Sequence, residues 1–318
     1  MSPVGPEGRA RGEGFSGGEP EVVRVWLLGG FRVSVGGRTV DGDEWRLRKP
    51  ASLVKPLALA PGHRLHRERV MDALWPDLGK GAASNNLRQA VYVVRRTLAP
   101  RPGAGSCYLA LRGEQVALCP EGRLWVDVET FEGAALAARR SRRPAAYEGA
   151  VELYAGELLP EDRYEEWAEG RRRELREAYL SLLLDLASVY EELGYYGPAA
   201  EALRKVLGEE PTREEAHAGL IRLHALSGDR AAALDRYECM REILGRELGT
   251  EPGASSAALH EEISAGRFTP DREAGARSPL KESPAAHNLS SERTSFVGRG
   301  RASSAEDARW STSSASWP

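Results

Sequence analysis

Between residues 84 and 96 runs the stretch SNNLRQAVYVVRR. Its polar side chains are of the types that read and grip nucleic acid. The amides of Asn85, Asn86 and Gln89 match the donor–acceptor edge of adenine, and the fork of Arg88 matches that of guanine. Tyr92, Arg95 and Arg96 suit phosphate oxygens. Placed on a helix, Asn85, Arg88, Gln89, Tyr92, Arg95 and Arg96 recur on one face, while Leu87, Ala90, Val91, Val94 and Leu98 form an apolar stripe on another. The competing reading is an ordinary amphipathic helix whose polar face meets only water. Taken alone, the stretch favours that reading, so its setting has to decide.

The setting is a short series of elements. Residues 22–40, VVRVWLLGGFRVSVGGRTV, alternate in polarity and are punctuated by Gly29-Gly30 and Gly36-Gly37, which predicts short strands and tight turns. Residues 47–62 have a helical apolar pattern ending at Pro61-Gly62. Pro56 lies inside it and removes a backbone donor, so this helix is expected to be kinked or split there. Residues 66–76 form a second short helix stopped by Pro76, and the stretch over 82–98 is the third. Residues 107–120, CYLALRGEQVALCP, alternate around Arg112-Gly113-Glu114 and predict a hairpin. Strands, three helices and a hairpin are the layout of a winged helix. In that layout the third helix is the one that can enter a major groove, and Arg112 at the wing tip can reach the backbone or the minor groove.

Charge agrees with this division. Residues 22–125 hold 17 Lys and Arg against 8 Asp and Glu, a net of +9, whereas residues 126–266 hold 17 against 29, a net of −12. A basic module beside an acidic one suits nucleic acid on one side and protein on the other. At 318 residues with 41% hydrophobic content, the chain has room for about two domains. No apolar run approaches the roughly 18 residues of a membrane helix. The first 21 residues contain no signal-peptide segment, so a cytoplasmic location is expected. Three cysteines make no secreted disulfide framework. Cys107 and Cys119 flank the hairpin and could lie opposite each other, with reduced thiols the expected state. The six histidines show no metal-ligand spacing with the cysteines.

Beyond residues 124–140 the pattern turns helical, with a long amphipathic stretch over 163–194 that Gly170 is expected to break. Gly194 and Gly228 stand 34 residues apart, the period of a tetratricopeptide (TPR) repeat. Leu186, Tyr190, Ala199, Leu203, Val206 and Pro211 fall at the motif's positions in the first unit. Leu220, His224, Ala233, Tyr237 and Met240 follow in the second, where Gly245 replaces the proline. Thr212 and Glu215 are spaced as a capping box. Stacked helix pairs of this kind expose a concave surface for protein segments or protomers.

The segments VRVWLLGGFRVSVGG, LRKPASLVKPLAL, RVMDALWPD, SNNLRQAVYVVRRTL and YLALRGEQVAL resemble, in order, the DNA-binding domain of antibiotic-regulatory (SARP/AfsR-like) bacterial activators. That domain is similar to the OmpR/PhoB winged helix with an added N-terminal sheet. Residues 127–266, including ELGTEPGASSAALHEEI, resemble the bacterial transcriptional activator domain that follows it in the same family. The resemblance implies a mainly α chain with a small β part. A disordered N-terminus (1–21) precedes a winged-helix domain (22–125) with antiparallel strands, three helices and a wing hairpin. An all-α TPR-like domain (126–266) and a linker or disordered tail (267–318) follow.

In the tail, RTSFVGRGR (293–301) resembles the entry to an ATPase module of larger regulators. No phosphate-cradling G-x-x-x-x-G-K-[ST] loop follows it, so the chain reads as a truncated or frame-shifted form.

The implied function is sequence-specific regulation of transcription, as an activator. The helix over 82–98 binds repeated promoter half-sites, and the repeat domain serves dimerisation or contact with RNA polymerase holoenzyme. No catalytic triad, cofactor loop or metal constellation is present in the sequence, so no enzyme activity, cofactor or metal is expected. The alternative is a TPR-like interaction scaffold with only non-specific DNA affinity. That leaves the basic half without a purpose.

Overall fold

The computed structural model describes residues 21–40, 45, 48–99, 105–120 and 122–268. The expected N-terminal segment, up to residue 20, and the expected tail with its ATPase-like junction, from residue 269, lie outside the described residues.

The chain begins with β1 (Val23–Trp26), β2 (Arg32–Val35) and β3 (Arg38–Val40). Alternation does the work. Val23 and Val25 of β1 lie opposite Val35 and Val33 of β2, all four fully or almost fully buried. A two-residue turn at Gly36-Gly37 joins β2 to β3, with Gly36 at φ 60, where a side chain would be strained.

Next come α1 (Arg48–Leu59), β4 (Arg64–His66), α2 (Arg67–Leu74), α3 (Lys80–Leu98) and the short α4 (Gly105–Tyr108). The hairpin follows as β5 (Leu109–Arg112) and β6 (Gln115–Leu118). It turns at Gly113-Glu114, with Gly113 at φ 59. Strand β4 pairs with β6, giving the antiparallel order β4-β6-β5. Helix α1 is not split at Pro56 but runs through it to Leu59, with Leu53, Val54 and Leu57 fully buried on either side.

Then β7 (Leu124–Val126) pairs in parallel with β1, completing a sheet of order β3-β2-β1-β7. The strand that leads into the helical half is therefore hydrogen-bonded into the N-terminal sheet. The rest is helical: α5 (Asp127–Ser141), α6 (Pro144–Leu153), α7 (Glu166–Glu192), α8 (Tyr196–Glu209), α9 (Glu214–Leu226), α10 (Arg230–Leu248) and α11 (Ala254–Ser264).

The 34-residue period is visible in the backbone. Gly194 after α7 and Gly228 after α9 have φ 76 and 81. Their turns repeat the same hydrogen bonds: Tyr195 N–H to Tyr190 O and Gly194 N–H to Glu191 O in the first, Asp229 N–H to His224 O and Gly228 N–H to Ala225 O in the second. These are glycine C-caps of the Schellman kind.

Two local expectations need correction. Helix α7 is unbroken across Gly170. Its burial is continuous, with Ala168, Arg172 and Leu175 buried on both sides of the glycine. The Thr212–Glu215 capping box does not form. The N-cap of α9 is Arg213, without a side-chain cap bond. Glu215 is held 3.1 Å from Arg213 Nε instead of reaching back to the backbone.

One apolar core runs through both halves, from Val23 and Val25 through α1 and α3 to Phe131, Leu183 and Leu220. A smaller cluster of Ile221, Ala233, Tyr237, Met240, Leu244 and Ile263 closes the C-terminal end.

The joint between the halves is also polar. The buried carboxylate of Asp127, at the start of α5, accepts the N–H groups of Leu27 and Leu28 at 2.8 and 2.9 Å on Oδ2, and that of Val128 at 2.8 Å on Oδ1. Gly29 N–H donates to Glu157 O, and Leu159 N–H to Leu27 O, both at 2.9 Å. Lys55 of α1 is 5% exposed. It pairs with Glu161 at 3.3 Å and with Asp162, and lies 4.7 Å from the centre of the Phe31 ring.

Candidate nucleic-acid interface

Helix α3 has the two faces its spacing requires. Ala83, Leu87, Ala90, Val91, Val94 and Leu98 are buried, so the helix cannot roll about its axis without exposing them. Asn85, Arg88, Gln89, Tyr92 and Arg96 are exposed, and Tyr92 is 64% exposed, a large value for an aromatic ring. Asn86 and Arg95 are half-buried at the edges of the face. Arg88 Nη1 donates to Asn85 Oδ1 at 2.9 Å, one turn earlier, which holds both polar heads on one patch. Among the described residues, no carboxylate pairs with Arg88 or Arg96.

Arg95 departs from the rest. Its Nε donates to Leu109 O at 2.8 Å. It spans α3 and the first strand of the hairpin, so its guanidinium is engaged with the main chain. Three further contacts set the pose of α3. Arg67, first residue of α2, donates to Ser84 Oγ at 2.6 Å. Arg67 N–H donates to Glu114 O at 2.8 Å, tying α2 to the hairpin tip. Arg38 Nη2 donates to Thr97 O at 2.8 Å, tying β3 to the end of α3. Arg112 is exposed at the last position of β5, beside the Gly113-Glu114 turn. All eight residues read from the sequence thus lie on α3 or at the tip of the hairpin strand packed against it.

A groove the sequence reading missed runs beside this face. It has a volume of about 540 Å³ and is lined by Pro50, Trp75 and the α3 side chains Asn86, Arg88, Gln89 and Tyr92. The available signal was Trp75, an aromatic residue standing at the end of α2 next to Pro76.

Cys107, Cys119 and Cys239 are free thiols. Burial pushes the Cys119 thiol up to about 12, so it is neutral and inert at ordinary pH. Among the described residues, no group of three His, Cys, Asp or Glu side chains is placed to hold a metal ion. None of the described helices is long and apolar enough to cross a membrane.

Comparison with known proteins places this architecture. Residues 126–264 match the bacterial transcriptional activator domain. Over 252 residues the chain is 26% identical to the transcriptional regulator RedD of Streptomyces coelicolor, covering 76% of this chain and 70% of that protein. Among solved structures it is similar in fold to Mycobacterium tuberculosis EmbR, determined in complex with a low-affinity phosphopeptide. The TM-score is 0.67 at 20% identity. The match covers 78% of this chain but 66% of the EmbR chain, just under two thirds of its length.

Proposed function

We propose that the chain is a SARP-type transcriptional regulator, in keeping with its match to the bacterial transcriptional activator domain and its similarity to RedD, and that it binds promoter DNA sequence-specifically through α3. The observation that carries the proposal is the pairing of a sealed apolar face with an exposed face holding Asn85, Arg88, Gln89, Tyr92 and Arg96.

In this reading, Asn85, Asn86, Arg88 and Gln89 meet base edges in the major groove. Each good bidentate pair contributes about 1–3 kcal/mol of discrimination. Tyr92 and Arg96 grip phosphate, Arg95 braces α3 against the hairpin through Leu109 O, and Arg112 on the wing reaches the backbone or the minor groove. Lys and Arg side chains of the basic half displace counterions, so affinity falls steeply with salt. Two protomers occupy repeated half-sites about one helical turn apart. The acidic helical half pairs the protomers or contacts RNA polymerase holoenzyme. The regulator works in the cytoplasm and carries out no chemical step.

A gel shift of the full chain against fragments of its neighbouring promoters tests this. The expected result is a retarded band at moderate salt that survives excess non-specific DNA. Equal binding to all fragments would favour the scaffold alternative and sink the proposal.

A further inference from the structure

The helical half leaves a hydroxyl stranded. Ser256, on the first turn of α11, is 1% exposed, and its Oγ has no hydrogen-bond partner. Folded proteins pair nearly all such groups, so this hydroxyl has hydrogen-bonding capacity left over for a partner at the groove. Ser256 lines a groove of about 610 Å³, with walls from α7, α9 and the start of α11. Helices α7 and α9 open the two successive helix pairs, and α11 follows them, so this is the inner face of the stack.

The floor is kept low by Ala187, Ala218 and Gly219. At Gly219 even a methyl group would stand 2.8 Å from Leu203 Cδ1, so that position admits no larger residue without displacing its neighbour.

The walls are acidic. Glu191, Glu214 and Glu215 line the groove against the single cation Arg222. Arg222 is already engaged by Glu191, at 2.6 and 3.0 Å. Glu215 is paired with Arg213 at 3.1 Å. Glu214 accepts the Gly253 N–H at 2.8 Å and meets no cation among the described residues. The site therefore offers one unneutralised carboxylate, one unpaired buried hydroxyl and an apolar floor, with room for a short ligand. Over residues 126–266 the surrounding half carries a net charge of −12, which draws cationic partners.

We propose that this groove binds an extended segment of a partner protein carrying a lysine or arginine side chain. The cation meets Glu214, the segment's main chain pairs with the Ser256 hydroxyl, and a small side chain rests on Ala218 and Gly219. The proposal is independent of how α3 reads DNA.

The test presents the full chain with a bead-bound library of random nonapeptides and sequences the retained peptides. Two variants accompany it. Ser188→Trp fills the groove from an exposed wall position. Glu214→Gln keeps an acceptor for Gly253 N–H and removes only the charge. Circular dichroism of both variants is expected to match the unsubstituted chain. Basic residues should be enriched over glutamine by about three- to five-fold, the worth of one partly exposed ion pair. The enrichment should vanish in both variants. No enrichment of Lys or Arg, or equal enrichment with Ser188→Trp, would overturn the proposal.

Discussion

Replacing Asp127 with alanine should loosen the seam between the two halves. Its carboxylate satisfies the N–H groups of Leu27 and Leu28, residues that are 0% and 4% exposed. Alanine leaves both donors buried and unpaired, at about 1–3 kcal/mol each. One offset applies. Burial raises the Asp127 carboxyl above the ordinary carboxylate range even though backbone N–H bonds pull it down, so alanine also removes a desolvation cost. The expected net loss is therefore near the lower end, about 2–3 kcal/mol.

Urea unfolding followed by far-ultraviolet circular dichroism measures that loss. Tryptophan fluorescence gives a local report, because Trp26 of β1 and Trp125 of β7 meet edge to face across the seam at 5.3 Å. Asp127→Asn should cost less than alanine, since its oxygen can still accept both N–H groups. The pH dependence has a definite sign. A carboxyl whose folded pKa is raised holds its proton more tightly when native. Its contribution to stability therefore falls as pH rises from the unfolded value through the raised one. The stability of the unsubstituted chain relative to Asp127→Asn should decline over that window. A loss below about 0.5 kcal/mol for Asp127→Ala, within the range of ordinary surface changes, would refute the reasoning.

Three further outcomes are expected. Lys55→Met should destabilise the same joint by about 1–3 kcal/mol in urea unfolding, less than for a fully buried pair because Glu161 is 41% exposed. His217 is 1% exposed, and burial lowers its pKa, so it stays neutral when folded. Stability should then fall as pH drops below the unfolded histidine value, and His217→Gln should flatten that fall in pH-dependent melting. Native Cys119, buried and pushed up to about 12, should resist alkylation by iodoacetamide at mildly alkaline pH until the chain is unfolded, as read by mass spectrometry.

What the sequence revealed and what it hid divide by the distance over which the physics acts. The two faces of α3 were legible because helical spacing separates Leu87 and Val91 from Arg88 and Tyr92 within a few residues. The hairpin was legible from Arg112-Gly113-Glu114, and the helix pairs from Gly194 and Gly228, which both adopt positive φ. The parallel pairing of β7 with β1 was not. Its three residue pairs join segments about a hundred residues apart, and nothing local in Leu124–Val126 announces a partner. The role of Asp127 was hidden with it. At the interface, residue types told which side chains could meet DNA but not which were already engaged. Arg95 and Arg96 look alike in sequence, yet only Arg95 is bonded to Leu109 O. Glu215 likewise lies 3.1 Å from Arg213 Nε and not on the backbone at the start of α9, a placement that the Thr212–Glu215 spacing does not announce.

The central claim is that the exposed face of α3 reads bases, and the most direct measurement compares binding of three chains to an operator and to its single-base variants. Arg88→Ala is expected to lose about 1–3 kcal/mol on the operator and to bind operator and variants more nearly alike. Arg96→Ala is expected to weaken binding to every sequence about equally and to reduce the slope of log affinity against log salt by about one. If Arg88→Ala and Arg96→Ala lower affinity for operator and variants in the same proportion, or if neither changes it, α3 does not read sequence as described.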